Sequence, residues 1–227
     1  MPLDNFLLRN KRIMTKKAAA TITTAILLAT NLAAMALTDF SFVKGKSKKT
    51  YSTAAIAVRD DVVTWQKTAT KLFTKPYLKK LYEDFIYLEE KNITSQEEKF
   101  VYGLTQLLIS HDSVDVYLLA HGNSMIEWVQ RIESNLTKKI RLVYNCGCDN
   151  ARQNAGWKSL GVKYYLAHKG GKSLSPVFYY FFIRRRVDGR SLEKSITAAN
   201  RHTRLLLACI GFSKSKAGES CATLYPF

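Results

Sequence analysis

Apolar positions along the chain fall into two alternating kinds of run. Residues 54–58 (AAIAV), 114–120 (VDVYLLA), 140–144 (IRLVY) and 162–167 (VKYYLA) are short and compact, and each predicts a buried strand. Residues 85–88 (FIYL) fit helix or strand by period and are read as a strand. Between these runs, apolar residues recur every three or four positions. Val62, Trp65, Ala69 and Leu72 make one helical face, capped by Asp60 or Asp61, and Pro76 is expected to break or restart that helix. Thr94 with Glu97 forms a capping box ahead of Phe100, Val101, Leu104, Leu107 and Leu108. Ile126, Val129, Ile132 and Leu136 give a short helix face, 150–160 a polar helical stretch, and 177–185 and 191–207 two closing helices.

Strands that alternate with helices predict an α/β domain: a mostly parallel sheet with helices on both faces. In such sheets the ligand site lies beyond the carboxyl ends of the strands. Two of the strands end in unusual residues. One runs into His121-Gly122 and the next into Asn145-Cys146-Gly147-Cys148. Neighbouring strands lie about 5 Å apart, so loops leaving two such ends can bring an imidazole to a thiol. A thiolate is the reactive form of cysteine, and a histidine can take its proton and later protonate a leaving amine. Gly122 removes a side chain beside the histidine, and the Gly122 and Cys148 amides are the candidate oxyanion donors.

An apolar strand ending in His-Gly, followed by one ending in a small residue and Cys, resembles the caspase-like peptidases, which include caspases, gingipains, clostripain, legumain, separase and the bacterial CHAT proteases. LVYNCGCDNA (142–151) is most similar to the CHAT pattern, in which an apolar run leads into Ala-Cys-Glu-Thr-Gly. Matched that way, Gly147 takes the small position, Cys148 the nucleophile and Asp149 the acidic one, while DVYLLAHG (115–122) matches the histidine strand. GVKYYLAHKG (161–170) resembles the strand after the nucleophile, and FFIRRRVDGRSLEKSITAANR (181–201) the late helical segment. The resemblance spans 54–205, its specific part being the two strand ends. It implies a caspase-like three-layer fold and a His121–Cys148 peptidase dyad.

The chain departs from that pattern in places. A caspase histidine lies about 50 residues before its Gln-Ala-Cys-x-Gly cysteine, whereas Cys148 follows His121 by 27 residues. Relatives that cleave after Arg or Lys often carry an acidic residue two before the nucleophile; that position is Cys146 here, so their specificity does not carry over. Cys146 is also the competing nucleophile, and a partner for Cys148 in a Cys-Gly-Cys disulfide that would silence the site until reduced. Asn145 and Asp149 flank the nucleophile and are candidates to orient His121 or contact substrate. The spacing of His121, Cys146 and Cys148 fits no common zinc pattern, so no metal and no cofactor is expected. His168 ends a predicted strand and is placed to border the site. Cys209 and Cys221 are a candidate disulfide, worth about 3 kcal/mol on the chain-entropy model, with two free thiols as the alternative.

Composition changes the picture in two ways. With 47% hydrophobic and 23% charged residues among 227, the composition argues against disorder, and one domain with a real core is expected. The formal charge of +17 favours anionic partners, but no aromatic-plus-basic nucleic-acid motif accompanies it. The N-terminus carries Lys16 and Lys17, an uncharged stretch over 18–37 and an Ala34-Met35-Ala36 site, the three parts of a secretory signal peptide. Met14 would give that signal a normal length. The expected organisation is a cleaved signal over 1–36, a basic lead-in over 37–53 and a caspase-like domain over 54–227; an uncleaved anchor through 18–37 is the rival reading. Cleavage leaves 30 Lys/Arg against 17 Asp/Glu, a charge of +13, suited to acidic lipid or glycan at a cell surface.

These readings predict an exported cysteine endopeptidase acting on polypeptides through His121 and Cys148. The alternatives are an inactive relative that binds a peptide or protein in the same cleft, and a basic surface-binding protein.

Overall fold

The computed structural model describes residues 54–59, 64–89, 93–121 and 123–227, the side chains of 64–66 and 93–95 excepted. The expected signal peptide, basic lead-in and domain boundary at 53/54 lie outside the described residues, as do the candidate caps Asp60 and Asp61 and the candidate oxyanion donor Gly122.

Six strands form one sheet in the order β2-β1-β3-β4-β5-β6. They are β1 (Ala54–Arg59), β2 (Phe85–Glu89), β3 (Val114–Leu119), β4 (Ile140–Asn145), β5 (Tyr164–His168) and β6 (Ala222–Pro226). All neighbours are parallel except β6, which runs antiparallel to β5. The central strands β1 and β3 are buried at every position, which explains their unbroken apolar runs. Strand order reverses at β1, with β2 on one side and β3 on the other, which is where open parallel sheets bind ligands.

Helices cover both faces. On one, Ile56, Val58, Val116, Leu118 and Val143 pack with Phe100, Leu104 and Leu108 of α2 (Ile93–Ser110), Val129 of α3 (Ile126–Val129) and Trp157 of α5 (Asn154–Ser159). On the other, Tyr144 meets Phe178 and Phe182 of α6 (Ser175–Val187) at ring separations of 5.8 and 5.6 Å. Here α6 packs against α1 (Thr64–Leu81), with Phe73 and Tyr180 edge to face at 4.9 Å, and against α7 (Leu192–Cys209). The expected α/β three-layer arrangement is present. The short helices α4 (Ser134–Thr137) and α8 (Lys214–Glu219) complete the chain.

A charged cluster is built into the start of β3 and β4. Asp115, fully buried on β3, accepts two bonds from the Arg141 guanidinium, at 2.9 and 2.5 Å, and one from the Tyr82 hydroxyl at 2.5 Å. A register shift between Val114 and Asp115 makes Arg141 the extra residue of β4. Burial first, then the Asp115 charge, raises the Tyr82 hydroxyl well above its ordinary pKa.

The structure corrects several sequence-based expectations. α1 runs through Pro76 without stopping, because Phe73, Tyr77, Leu78 and Leu81 on either side are all buried and hold it against the core. α2 begins at Ile93, one residue ahead of the expected cap Thr94. The single helix expected over 126–136 is two short ones, separated where Glu133 takes an extended backbone (ψ 137°). The expected Cys209–Cys221 disulfide is not formed: both are free thiols. Cys209 ends α7 exposed to solvent, whereas the buried Cys221 sulfur faces the Ala217 and Asn200 carbonyls at 3.6 and 3.7 Å. Burial pushes the Cys221 thiol pKa up. Cys146 and Cys148 are likewise free.

Candidate functional site

β3 and β4 are neighbours, with Leu118 opposite Asn145 on the last rung of their ladder. The Cys146 amide continues that ladder by donating to the Leu118 carbonyl at 3.0 Å. The strands then diverge, β3 through Ala120 into His121 and β4 through Gly147 into Cys148. The separation is small. A Cβ placed on Gly147 would lie 2.2 Å from Asn150 Nδ2 and 3.0 Å from the His121 carbonyl oxygen, so only glycine lets the two loops pack this closely. Asp149 then adopts the left-handed conformation (φ 56°), turning the chain into the 3₁₀ turn Asn150–Gln153. Its amide donates to Gly170 O at 3.0 Å, which ties the turn to the loop after β5.

One pocket at the carboxyl end of the sheet is lined by both His121 and Cys148. Ala120 and Cys146 continue its sheet side, and Thr70 of α1 with Ser173, Pro176 and Tyr179 closes the other. Both His121 and Cys148 are partly exposed. Cys148 Sγ lies 3.7 Å from Ser173 Oγ. Cys146 is buried, its sulfur 3.7 Å from the Ala120 carbonyl oxygen. Both cysteines line the pocket, and Cys148 is the more exposed of the two. Thr70 and Tyr179 are bonded to each other at 2.5 Å, which fixes the helical wall. Among the described residues, no Asp, Glu, Lys or Arg lines the pocket.

The remaining candidates take different places. Asn145 is fully buried beneath the two loops, and its amide bonds Asn123, Gly147, Asn150 and Gln153. Asp149 points outward and pairs with Arg152 at 3.8 Å. His168 is fully buried as the last residue of β5, its Nε2 3.1 Å from the Tyr144 hydroxyl and its ring edge-on to Phe178 at 5.3 Å. Burial pulls its pKa down to about 4, offset by the backbone at Cys221 and Ser220, so it is a neutral core residue at pH 7. His111 pairs with Asp84 at 2.7 Å, and His202 contacts the Ala198 carbonyl in α7. Among the described residues, no group of three His, Cys, Asp or Glu side chains is gathered as metal ligands would be.

Sequence reasoning missed Asn123, Asn150 and Gln153, which surround Asn145, and the helical wall of Thr70 and Tyr179. The amides carry no spacing signal, since they meet only when β3 and β4 lie side by side. The wall residues sit on helices far away in sequence.

No family model matches the chain, and no curated protein matches it. Among solved structures, the crystal structure of drICE, a caspase, aligns with a TM-score of 0.49 at 11% identity, over 79% of this chain and 90% of that one.

Proposed function

We propose that the chain is an exported, caspase-like cysteine endopeptidase with His121 and Cys148 as its catalytic dyad. One observation carries the reading: a single pocket holds an imidazole and a thiol at the carboxyl ends of two adjacent parallel strands. Both residues lie just past the carboxyl ends of their strands, the end of a parallel sheet at which ligands bind.

The chemistry is acyl transfer to sulfur. His121 takes the Cys148 proton, and the thiolate attacks the carbonyl carbon of a peptide bond. A C–S bond forms as the carbonyl electrons move to oxygen, where the Cys148 and Gly122 amides donate to the oxyanion. Collapse breaks the C–N bond, and the imidazolium gives its proton to the departing amine. Water, deprotonated by His121, then attacks the thioester, releasing the acid and restoring the thiol. Cys146, less exposed than Cys148 and with its sulfur 3.7 Å from the Ala120 carbonyl oxygen, takes no part in this sequence. Incubation with a peptide library tests the reading. Cleavage that is lost in Cys148→Ala and kept in Cys146→Ala supports it. Cleavage that survives Cys148→Ala, or no cleavage of any peptide, contradicts it.

Export rests on the signal-like segment before Leu37. N-terminal sequencing of protein recovered from outside the cytoplasm should begin near Leu37. Once cleaved, the +13 chain would sit on acidic cell-surface lipid or glycan, held by charge and released by salt. Among the described residues, no helix is long and apolar enough to cross a membrane.

A further inference from the structure

We propose that Asn145 is a positioning residue for this dyad: its buried side-chain amide locks the loop carrying His121 to the loop carrying Cys148. The inference rests on the dyad reading above and assigns to the molecule the part that holds the dyad in register.

The observations form one continuous chain of bonds. Asn145 Oδ1 accepts from Asn150 Nδ2 at 2.7 Å, Asn123 Nδ2 at 3.1 Å and the Gly147 amide at 3.2 Å. Its Nδ2 donates to Gln153 Oε1 at 3.3 Å and Asn123 Oδ1 at 3.5 Å. Asn123 Nδ2 also donates to the His121 carbonyl at 2.9 Å, and Asn123 O in turn accepts from Gln153 Nε2 at 2.5 Å. One side chain, with no solvent exposure, thus grips the residue before Cys148 and, through one intermediary, the backbone of His121. The far end is anchored too: the Tyr165 hydroxyl donates to the Asn150 carbonyl at 2.7 Å, and its ring stacks on Trp157.

The residue type follows from the geometry. An amide accepts at one atom and donates at the other, as this site demands. A carboxylate at 145 would turn an acceptor toward the Gln153 and Asn123 oxygens and bury a negative charge below the thiolate, raising its pKa. An apolar residue would leave buried donors unsatisfied. β3 ends at Leu119 and β4 at Asn145, so His121 and Cys148 themselves lie past the last rung of the ladder. A displacement of about 1 Å in a reacting pair can cost roughly a hundredfold in rate.

The test measures the rate at which iodoacetamide alkylates Cys148 at pH 6.5, read by mass spectrometry at that residue, with circular dichroism to show that each variant is folded. Asn145→Ala and Asn123→Ala are each made in the His121 and the His121→Ala proteins; Asn123 is partly exposed, so its variant decides if Asn145→Ala fails to fold. The expected result is slowing of about tenfold or more where His121 is present, and no further slowing where it is absent, because a displaced base and a missing base have the same effect. Equal slowing in both backgrounds, or none in either, overturns the proposal while the dyad stands. If His121→Ala alone leaves the rate unchanged, the dyad itself fails and the positioning role falls with it.

Discussion

Gly147 and His121 meet backbone to backbone: a single methyl group on Gly147 would lie 3.0 Å from the His121 carbonyl oxygen and collide with Asn150 at 2.2 Å. That contact makes the two loops one unit. Gly147→Ala is therefore expected to cost about 1–3 kcal/mol by overpacking, and to slow Cys148 alkylation by pushing its loop away from His121. Urea unfolding and labelling kinetics measure the two effects. A variant with both values unchanged would mean that the loops separate freely.

At the opposite end of the sheet, Asp115 depends on Arg141. Arg141→Met leaves a fully buried carboxylate without its cation and is expected to destabilise the fold by about 3–5 kcal/mol. The double variant Asp115→Leu with Arg141→Met removes both charges and should recover most of that loss. Chemical denaturation of the two variants gives the comparison directly.

Acid should weaken the fold through His168. Its pKa is lowered to about 4 in the folded chain against 6.5 ordinarily. A histidine buried neutral contributes stability that is fully present above pH 6.5 and is lost as pH falls toward 4, because the unfolded chain binds the proton first. The loss over that window is about 3 kcal/mol for this group. Unfolding free energies at pH 7 and pH 4.5 should differ by less in His168→Gln than in the parent.

The thiols should separate by reactivity. Cys209, exposed, is expected to label rapidly and without regard to His121, and Cys221 to label only on unfolding. Mass analysis without reductant should find no Cys209–Cys221 bridge. Recovering one would contradict the free thiols seen here.

Much of this architecture was legible in the chain. The compact runs became β1, β3, β4 and β5, since strands buried on both faces need apolar residues throughout, while the ambiguous run became β2, an edge strand half-buried along its length. His121 and Cys148 could be picked out because glycine stood beside each at a strand end. The rest lay beyond local pattern. β6 is an edge strand ending at Pro226, a residue that only an edge tolerates, and with only its first residue buried it shows no unbroken apolar run. Pro76 looked like a helix end because its local penalty is readable, while the tertiary packing that outweighs it is not. Asn145 stood out as a neighbour of the candidate nucleophile, but the sequence offered it to the histidine ring or to substrate. The fold gives its amide to the two loops instead, through Asn123 and Gly147.

The central claim is that His121 activates Cys148. Alkylation of Cys148 by iodoacetamide from pH 5 to 9, under reductant, measures it most directly in the parent protein and in His121→Ala. The account predicts fast labelling near pH 6 that falls at least about tenfold in His121→Ala, with the profile returning to that of an ordinary thiol near pH 8.5. Slow labelling with an ordinary profile in both proteins would contradict it.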